Sequence, residues 1–248
     1  MRHLLLLNPN TSASVTTLMQ RHVAHAAGPD VTVHPYTARF GAPYIACEAS
    51  YAVACHASLD LWAMALAQSP VAFDAVLIGC FGDPGLMALR ESGAVPVTSL
   101  AEASFIAAAK HGRFAIVTGG QRWAPMLQRM AENAGLGHLL AGIHTVAPTG
   151  AQLAADPVAA KILLAQACAD AAKQFGADAV ILGGAGLAGV AATLQAQVPV
   201  PVIDSVLAGT QLVLGPDVRP SERKAPAFDV TWVNVSPELT ALGQQPGL

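Results

Sequence analysis

The 248-residue chain is 53% apolar and only 12% charged, and its net charge of −3 comes with no basic cluster. That balance excludes a nucleic-acid partner, and no apolar run approaches the roughly 20 residues needed to span a bilayer. The length suits one large or two medium domains with an ample core. So few charges leave apolar surface to be buried between subunits, and a homo-oligomer is expected. An alanine-rich composition would by itself give the same low figure.

In chain order, residues 2–7 form an apolar run that ends in the polar turn Asn8-Pro9-Asn10-Thr11-Ser12 and leads into a helix at Ala13–Ala27. This run is too short for a signal-peptide core and passes straight into a strand-and-turn pattern. A helix over 52–68 precedes the strand Val76-Leu77-Ile78, which ends in Gly79-Cys80-Phe81-Gly82. A short helix is expected from Pro84, with Asp83 as its N-cap, followed by the proline-bounded strand Val95-Pro96-Val97. The pattern then repeats. Phe114-Ala115-Ile116-Val117 ends in Thr118-Gly119-Gly120, helices follow at 125–134 and Pro157–Phe175, and Val180-Ile181-Leu182 ends in Gly183-Gly184-Ala185-Gly186. Val200-Pro201-Val202 and a helix at Ser205–Leu214 close the second copy. The proline-rich stretch 215–226 breaks the pattern. Thr231-Trp232-Val233 and 237–242 are expected as a terminal strand and short helix that pack on the first half, because Trp232 and Phe228 are costly to expose.

Short apolar strands alternating with helices indicate parallel sheets covered on both faces, an α/β fold. Ligands bind such sheets beyond the carboxyl ends of their strands. All four polar or glycine turns fall there, so they are expected to converge on one site.

At that site the two Gly-X-X-Gly copies differ. Cys80 offers a thiol, and a helix amino terminus just downstream would stabilise its thiolate; the alternative is a small buried hydrophobe. Gly184 offers no side chain. Its wall can admit a larger ligand group or a water, and the N–H groups of Gly184 and Ala185 could hold a carboxylate or a developing enolate oxygen. A tight turn requiring positive φ explains the same glycine. Asn8, Asn10 and Thr11 suit a carboxylate, imide or phosphate, although Asn10, Thr11 or Ser12 could equally cap the following helix. Thr118, Gly119 and Gly120 mirror that turn and permit close backbone approach. Phe81 and Gly82 flank the thiol, and Tyr44 and Glu48 lie in the loop 41–50, which can overhang the cleft.

Other residues read more plainly. Neither turn fits GxGxxG or a P-loop, so no nucleotide cofactor is expected. Cys47, Cys55 and Cys168 lie in helix-like runs and read as core. With Cys80 they show no CxxC or metal-type spacing, which points to reduced thiols in a cytoplasmic protein and to no metal. His22 and His25 read as the solvated face of an amphipathic helix, and His144 follows a strand-like stretch.

Three motifs carry a family resemblance: Leu-Asn-Pro-Asn-Thr-Ser at 7–12, Gly-Cys-Phe-Gly-Asp-Pro-Gly-Leu at 79–86 and Leu-Gly-Gly-Ala-Gly-Leu at 182–187. They resemble the hydantoin racemase branch of the aspartate/glutamate racemase superfamily, and the likeness runs from Leu5 to about Leu214. It implies two pseudo-symmetric Rossmann-like parallel-sheet domains, here 1–97 plus 206–248 and 98–205, with the active site between them and no cofactor. It also implies two cysteines acting as acid and base on opposite faces of a carbon next to a carbonyl. Cys80 matches the first; the second belongs at Gly184, which lacks it. Asn8, Asn10 and Thr11, with Thr118 and Gly119, match positions that hold the substrate's polar ring or carboxylate.

Racemisation takes a proton from one face and returns it to the other, which normally needs two groups. The first expectation is therefore a cofactor-independent racemase or epimerase of a small molecule, with Cys80 as thiol acid/base and another source for the second proton. The second is a one-thiol decarboxylase of malonate-type acids giving a single enantiomer, resembling the superfamily's arylmalonate decarboxylases. The third is a binding relative without turnover.

Overall fold

The computed structural model describes residues 1–147, 156–218, 220 and 225–243. Two four-stranded parallel sheets carry the fold. The first comprises β1 (Arg2–Asn8), β2 (Val31–Thr37), β3 (Ala75–Ile78) and β4 (Val97–Ser99) in the order β2-β1-β3-β4. The second comprises β5 (Phe114–Gly119), β6 (Leu140–Val146), β7 (Ala179–Gly183) and β8 (Val202–Asp204) in the order β6-β5-β7-β8. The orders are identical, so the repeat in the sequence is a repeat in topology. Each half also gains an edge strand, β2 or β6, that lies outside the repeating motifs. Pro35 sits in β2 opposite Leu6, and an edge strand tolerates the missing N–H.

Helices α1 (Ala13–Ala27), α2 (Glu48–Gln68), α3 (Leu86–Ser92) and α4 (Leu100–Ala109) belong to the first part of the chain. They are followed by α5 (Trp123–Asn133), α6 (Pro157–Phe175), α7 (Val190–Leu194), α8 (Ser205–Leu214) and α9 (Pro237–Gly243). Caps set several of their starts. Ser12 accepts from the Val15 N–H, Asp156 from Ala159, and Asp204 from both Val206 and Leu207. α2 begins before the expected residue 52, because Ser50 turns back to accept from the N–H groups of Ala46 and Cys47. α5 likewise starts at Trp123 rather than 125. Pro125 is the third helical residue, where its absent N–H has no intrahelical partner to lose.

β1 is buried on both faces: Leu4, Leu5, Leu6 and Leu7 are all 0% exposed. β5 and β7 show the alternation of a strand between two layers. Phe114, Ile116, Ala179 and Ile181 face a core continuous with the first sheet, while Ala115, Val117, Val180 and Leu182 face a second core under α6. α8 closes the molecule by packing against α4, α1 and β3.

The C-terminal part departs from expectation at one point. Residues 231–233 form no strand; Asp229 and Asn234, both at positive φ, bracket an irregular path that cannot pair as β. The segment nevertheless packs. Phe228 and Trp232 meet edge to face at 6.1 Å, and Leu239 and Leu242 of α9 are buried. Arg39 pins α9 by bridging the buried Asp60 of α2, at 2.7 Å, and Glu238, at 3.3 Å.

Candidate active site

In each sheet the order in which strands are added reverses between two central parallel strands, β1 and β3 in one, β5 and β7 in the other. Such a switch point opens a crevice beyond the strand carboxyl ends. Both crevices meet in one cavity of about 300 Å³. Its lining takes Asn10, Ser12 and Ser14 from beyond β1, Gly79, Cys80 and Phe81 from beyond β3, Thr118 and Gly119 from β5, and Gly183 to Leu187 from the end of β7 and the turn after it. Val15, Leu18, Pro43, Tyr44, Ile45 and Trp123 complete it.

Cys80 is 7% exposed and sits in a tight turn, its N–H donating to Ile78 O at 2.9 Å and its carbonyl accepting from Ser99 Oγ at 3.2 Å. Burial pushes the thiol far above its ordinary value, and the charges of Asp83 and Cys55 add to the shift. Nor does the helix expected to stabilise the thiolate begin where the sequence placed it. α3 starts only at Leu86, with Gly85 at its N-cap, so its amino terminus lies beyond the thiol. Asp83 does not cap that helix either. At φ 53 its carboxylate turns to α4, accepting from the N–H groups of Ala101 at 2.9 Å and Glu102 at 2.8 Å.

The opposite wall is bare. Gly184 has φ +144, a conformation side chains rarely adopt, although a Cβ there would meet only Leu187, at 3.6 Å. Its N–H is taken by Ser205 Oγ at 3.3 Å, so the wall's open donors are the N–H groups of Ala185 and Gly186, at the start of a short 3-10 turn. Gly183 is glycine for a different reason: the Phe81 ring lies where its Cβ would be, locking the two halves together beside the thiol.

The polar turn divides its labour. Asn8 is fully buried and organises the loop, its Nδ2 donating to Asn10 Oδ1 at 3.0 Å and to Thr16 Oγ1 at 2.8 Å. Asn10 Oδ1 also accepts from the Ser12 N–H, which leaves the Asn10 amide N–H groups for a ligand. Thr11 ties its backbone to Ala42 O and does not line the cavity. Thr118 does, while its hydroxyl donates to Gly183 O at 2.9 Å and joins β5 to β7. Tyr44 reaches the cavity and donates to Gly119 O at 3.1 Å. Gly120 faces that same hydroxyl, and Gly82 lies under the Trp123 ring.

Glu48 is not among the lining residues. As the first residue of α2 it points to the surface and pairs with Arg129 at 2.7 Å. His22 lies against Gly189 rather than in solvent, so it belongs to the contact between the halves; His25 is exposed and His144 lies on the edge strand β6, outside the cavity. Cys168 is buried, but Cys47 is the half-exposed N-cap of α2, and hydrogen bonds from Ser50 and the helix amino terminus lower its thiol to about 7. Among the described residues no group of three His, Cys, Asp or Glu is placed to hold a metal ion, and no helix is long and apolar enough to cross a membrane.

The apolar lining from α1 and α5, Val15, Leu18 and Trp123, was not legible in the sequence. Which helix face meets the cleft depends on how the halves dock. The one available signal was the position of these residues just beyond the polar turns.

Paired parallel sheets around a shared cleft are the architecture of the two-domain α/β racemases. An allantoin racemase from Klebsiella pneumoniae superposes with a TM-score of 0.80 at 29% identity, covering 86% of each chain. A hydantoin racemase of Paenarthrobacter aurescens is 31% identical over 214 residues, 84% of this chain and 88% of that protein. Another, from Pseudomonas sp. (strain NS671), is 37% identical over 139 residues, 56% of each. The Asp/Glu/Hydantoin racemase family model matches residues 4–213, and the chain belongs to that family. It is thus an enzyme of the isomerase class, acting on small molecules.

Proposed function

We propose that the protein interconverts the enantiomers of a small hydantoin-type ring, moving the proton on the carbon beside a ring carbonyl, with Cys80 as the acid/base on one face. The observation that carries this reading is the cavity's inventory. It holds one thiol, several neutral hydrogen-bonding groups and an apolar wall, and among the described lining residues no arginine, lysine, histidine or carboxylate. A zwitterionic amino acid or a malonate dianion would give up its hydration there with no counter-charge, a penalty of several kcal/mol. A neutral cyclic amide would not. Its polar edge fits Asn10, Ser12 and Thr118, and its substituent fits Val15, Leu18 and Trp123. Charge developing on the carbonyl oxygen falls within reach of donors such as the Ala185 N–H.

The second reading, decarboxylation, draws on Cys80 alone. Burial favours the neutral thiol over the thiolate, which suits a group that only delivers a proton to a carbanion. The absence of a lining cation counts against the dianionic substrate it needs. Four unpaired cysteines support a reducing, cytoplasmic setting, and the low charged fraction supports a homo-oligomer.

Polarimetry on single enantiomers of 5-substituted hydantoins and of allantoin, beside CO₂ release from aryl- and alkylmalonates, separates the readings. Loss of rotation abolished by Cys80→Ala is expected. CO₂ release without any loss of rotation would replace isomerase by lyase, and silence on every compound would reject both.

A further inference from the structure

The bare wall at Gly184 raises the question of what serves the second face of the substrate. Tyr44 answers it by position. It arises from the loop after β2 and spans the cleft, and its hydroxyl bonds to Gly119 O at 3.1 Å, at the carboxyl end of β5. β5 and β7 are neighbours whose pairing ends with Thr118 opposite Gly183, the residues just before Gly119 and Gly184. The phenol therefore reaches the wall that carries no thiol and lines the cavity that Cys80 lines. Trp123 fixes the same loop from the second half, its Nε1 donating to Ile45 O at 3.1 Å.

Two features suit the hydroxyl to proton transfer. Its bond to Gly119 O, at 3.1 Å, is longer than the 2.7–2.8 Å usual for O–H···O pairs, and the O–H can rotate towards a ligand. Among the described residues lining the cavity, Cys80 and Tyr44 are also the two whose side chains titrate. Resting on the racemase reading above, we propose that Tyr44 is the catalytic acid/base of the second face, in the place where a thiol at position 184 would act.

The step balances. The Cys80 thiolate takes the carbon-bound proton and becomes a thiol, while the C–H electron pair moves into the adjacent carbonyl as an enolate. The Tyr44 O–H then gives its proton to the other face, the electron pair returns to form the new C–H bond, and a phenolate remains. Proton transfer from thiol to phenolate through solvent restores the start; the opposite enantiomer runs the same steps backwards. Burial is the largest cause raising the phenol above its ordinary value; a hydrogen bond with Trp123 opposes it and the nearby Cys80 charge adds to it, so in the thiolate state it stands ready as donor.

The test uses the two enantiomers of 5-benzylhydantoin in D₂O with wild type and Tyr44→Phe. Racemisation is followed by chiral chromatography and carbon deuteration by NMR. Losing one of two positioned proton carriers is expected to slow racemisation about 100-fold or more in both directions. The enantiomer whose proton faces Cys80 should still exchange, with retained configuration, within about tenfold of wild type. That surviving exchange also shows that the variant is folded. Racemisation within about threefold of wild type would overturn the role, as would equal loss of racemisation and exchange. Replacement of Tyr44 by 3-fluorotyrosine keeps the ring and the hydrogen bond but makes the phenol more acidic. The alkaline limb of the pH profile should then move to lower pH, and an unmoved limb would overturn the role. A wild type inert towards both enantiomers, and towards those of the other 5-substituted hydantoins and of allantoin, would instead reject the racemase reading itself, and the Tyr44 role with it.

Discussion

Gly183→Ala adds one methyl group where the two halves touch beside Cys80. The added Cβ would fall on the Phe81 ring, within 2.5 Å of both Cδ1 and Cζ. The ring cannot swing aside freely, being 5% exposed and packed edge to face on Phe105 at 6.2 Å. Overpacking of this kind costs about 1–3 kcal/mol. In a chain of this size each kcal/mol lowers the melting temperature by about 2–4 °C, so a fall of about 2–12 °C is expected. Phe81 follows Cys80 directly, and a displacement of about 1 Å at a reacting group can cost about 100-fold in rate. Scanning calorimetry gives the first quantity and polarimetry on a hydantoin the second. A variant as stable and as active as wild type would show that Phe81 does not lock the halves and that the placement of Cys80 does not depend on that contact.

Other consequences follow from the charged and thiol groups. Arg39→Ala leaves the buried Asp60 carboxylate without its bidentate partner and should cost about 1–3 kcal/mol at pH 7 by denaturant titration. Burial raises the Asp60 pKa, but the hydrogen bonds and charge of Arg39, with a further hydrogen bond from Ser236, hold it below its ordinary 3.8, so the pair's contribution is present above that pH and fades as pH falls below it; a penalty that persists unchanged in acid would refute this. Iodoacetamide should label Cys47 first, with a midpoint near pH 7, while Cys80 and Cys168 remain unmodified by mass spectrometry. Labelling of Cys80 ahead of Cys47 would contradict the burial argument. Because burial raises Cys80, turnover that starts from its thiolate should climb through pH 7–9 without levelling near neutrality. For the same reason, its contribution to folding stability, complete below its unfolded value of about 9, is lost as pH rises through the higher folded one. A plateau in rate near pH 7 would place the base elsewhere.

Much of this molecule could be read from its sequence because the repeat is local. An apolar run ending in Gly-X-X-Gly marks a strand and its turn wherever the halves sit, and the parallel architecture follows from strand–helix alternation. What failed depended on neighbours remote in sequence. Asp83 has a capping residue's identity, but its positive φ aims it at α4, eighteen residues on. Glu48 is drawn outward by Arg129 of α5, eighty-one residues on. Cys47 is a local exception: it becomes an N-cap because Ser50, three residues on, folds back on it. Residues 231–233 have β-like character but no partner strand among the described residues. Tyr44 was legible as a loop residue near the cleft; its reach to Gly119 was not.

The central claim is that Cys80 moves the proton on a carbon beside a carbonyl. ¹H NMR in D₂O of one 5-benzylhydantoin enantiomer, wild type beside Cys80→Ala, addresses it most directly. Loss of the ring-carbon proton signal together with loss of chirality in wild type, and neither above the uncatalysed rate with Cys80→Ala, is the expected result. Exchange that continues unchanged without the thiol would contradict it.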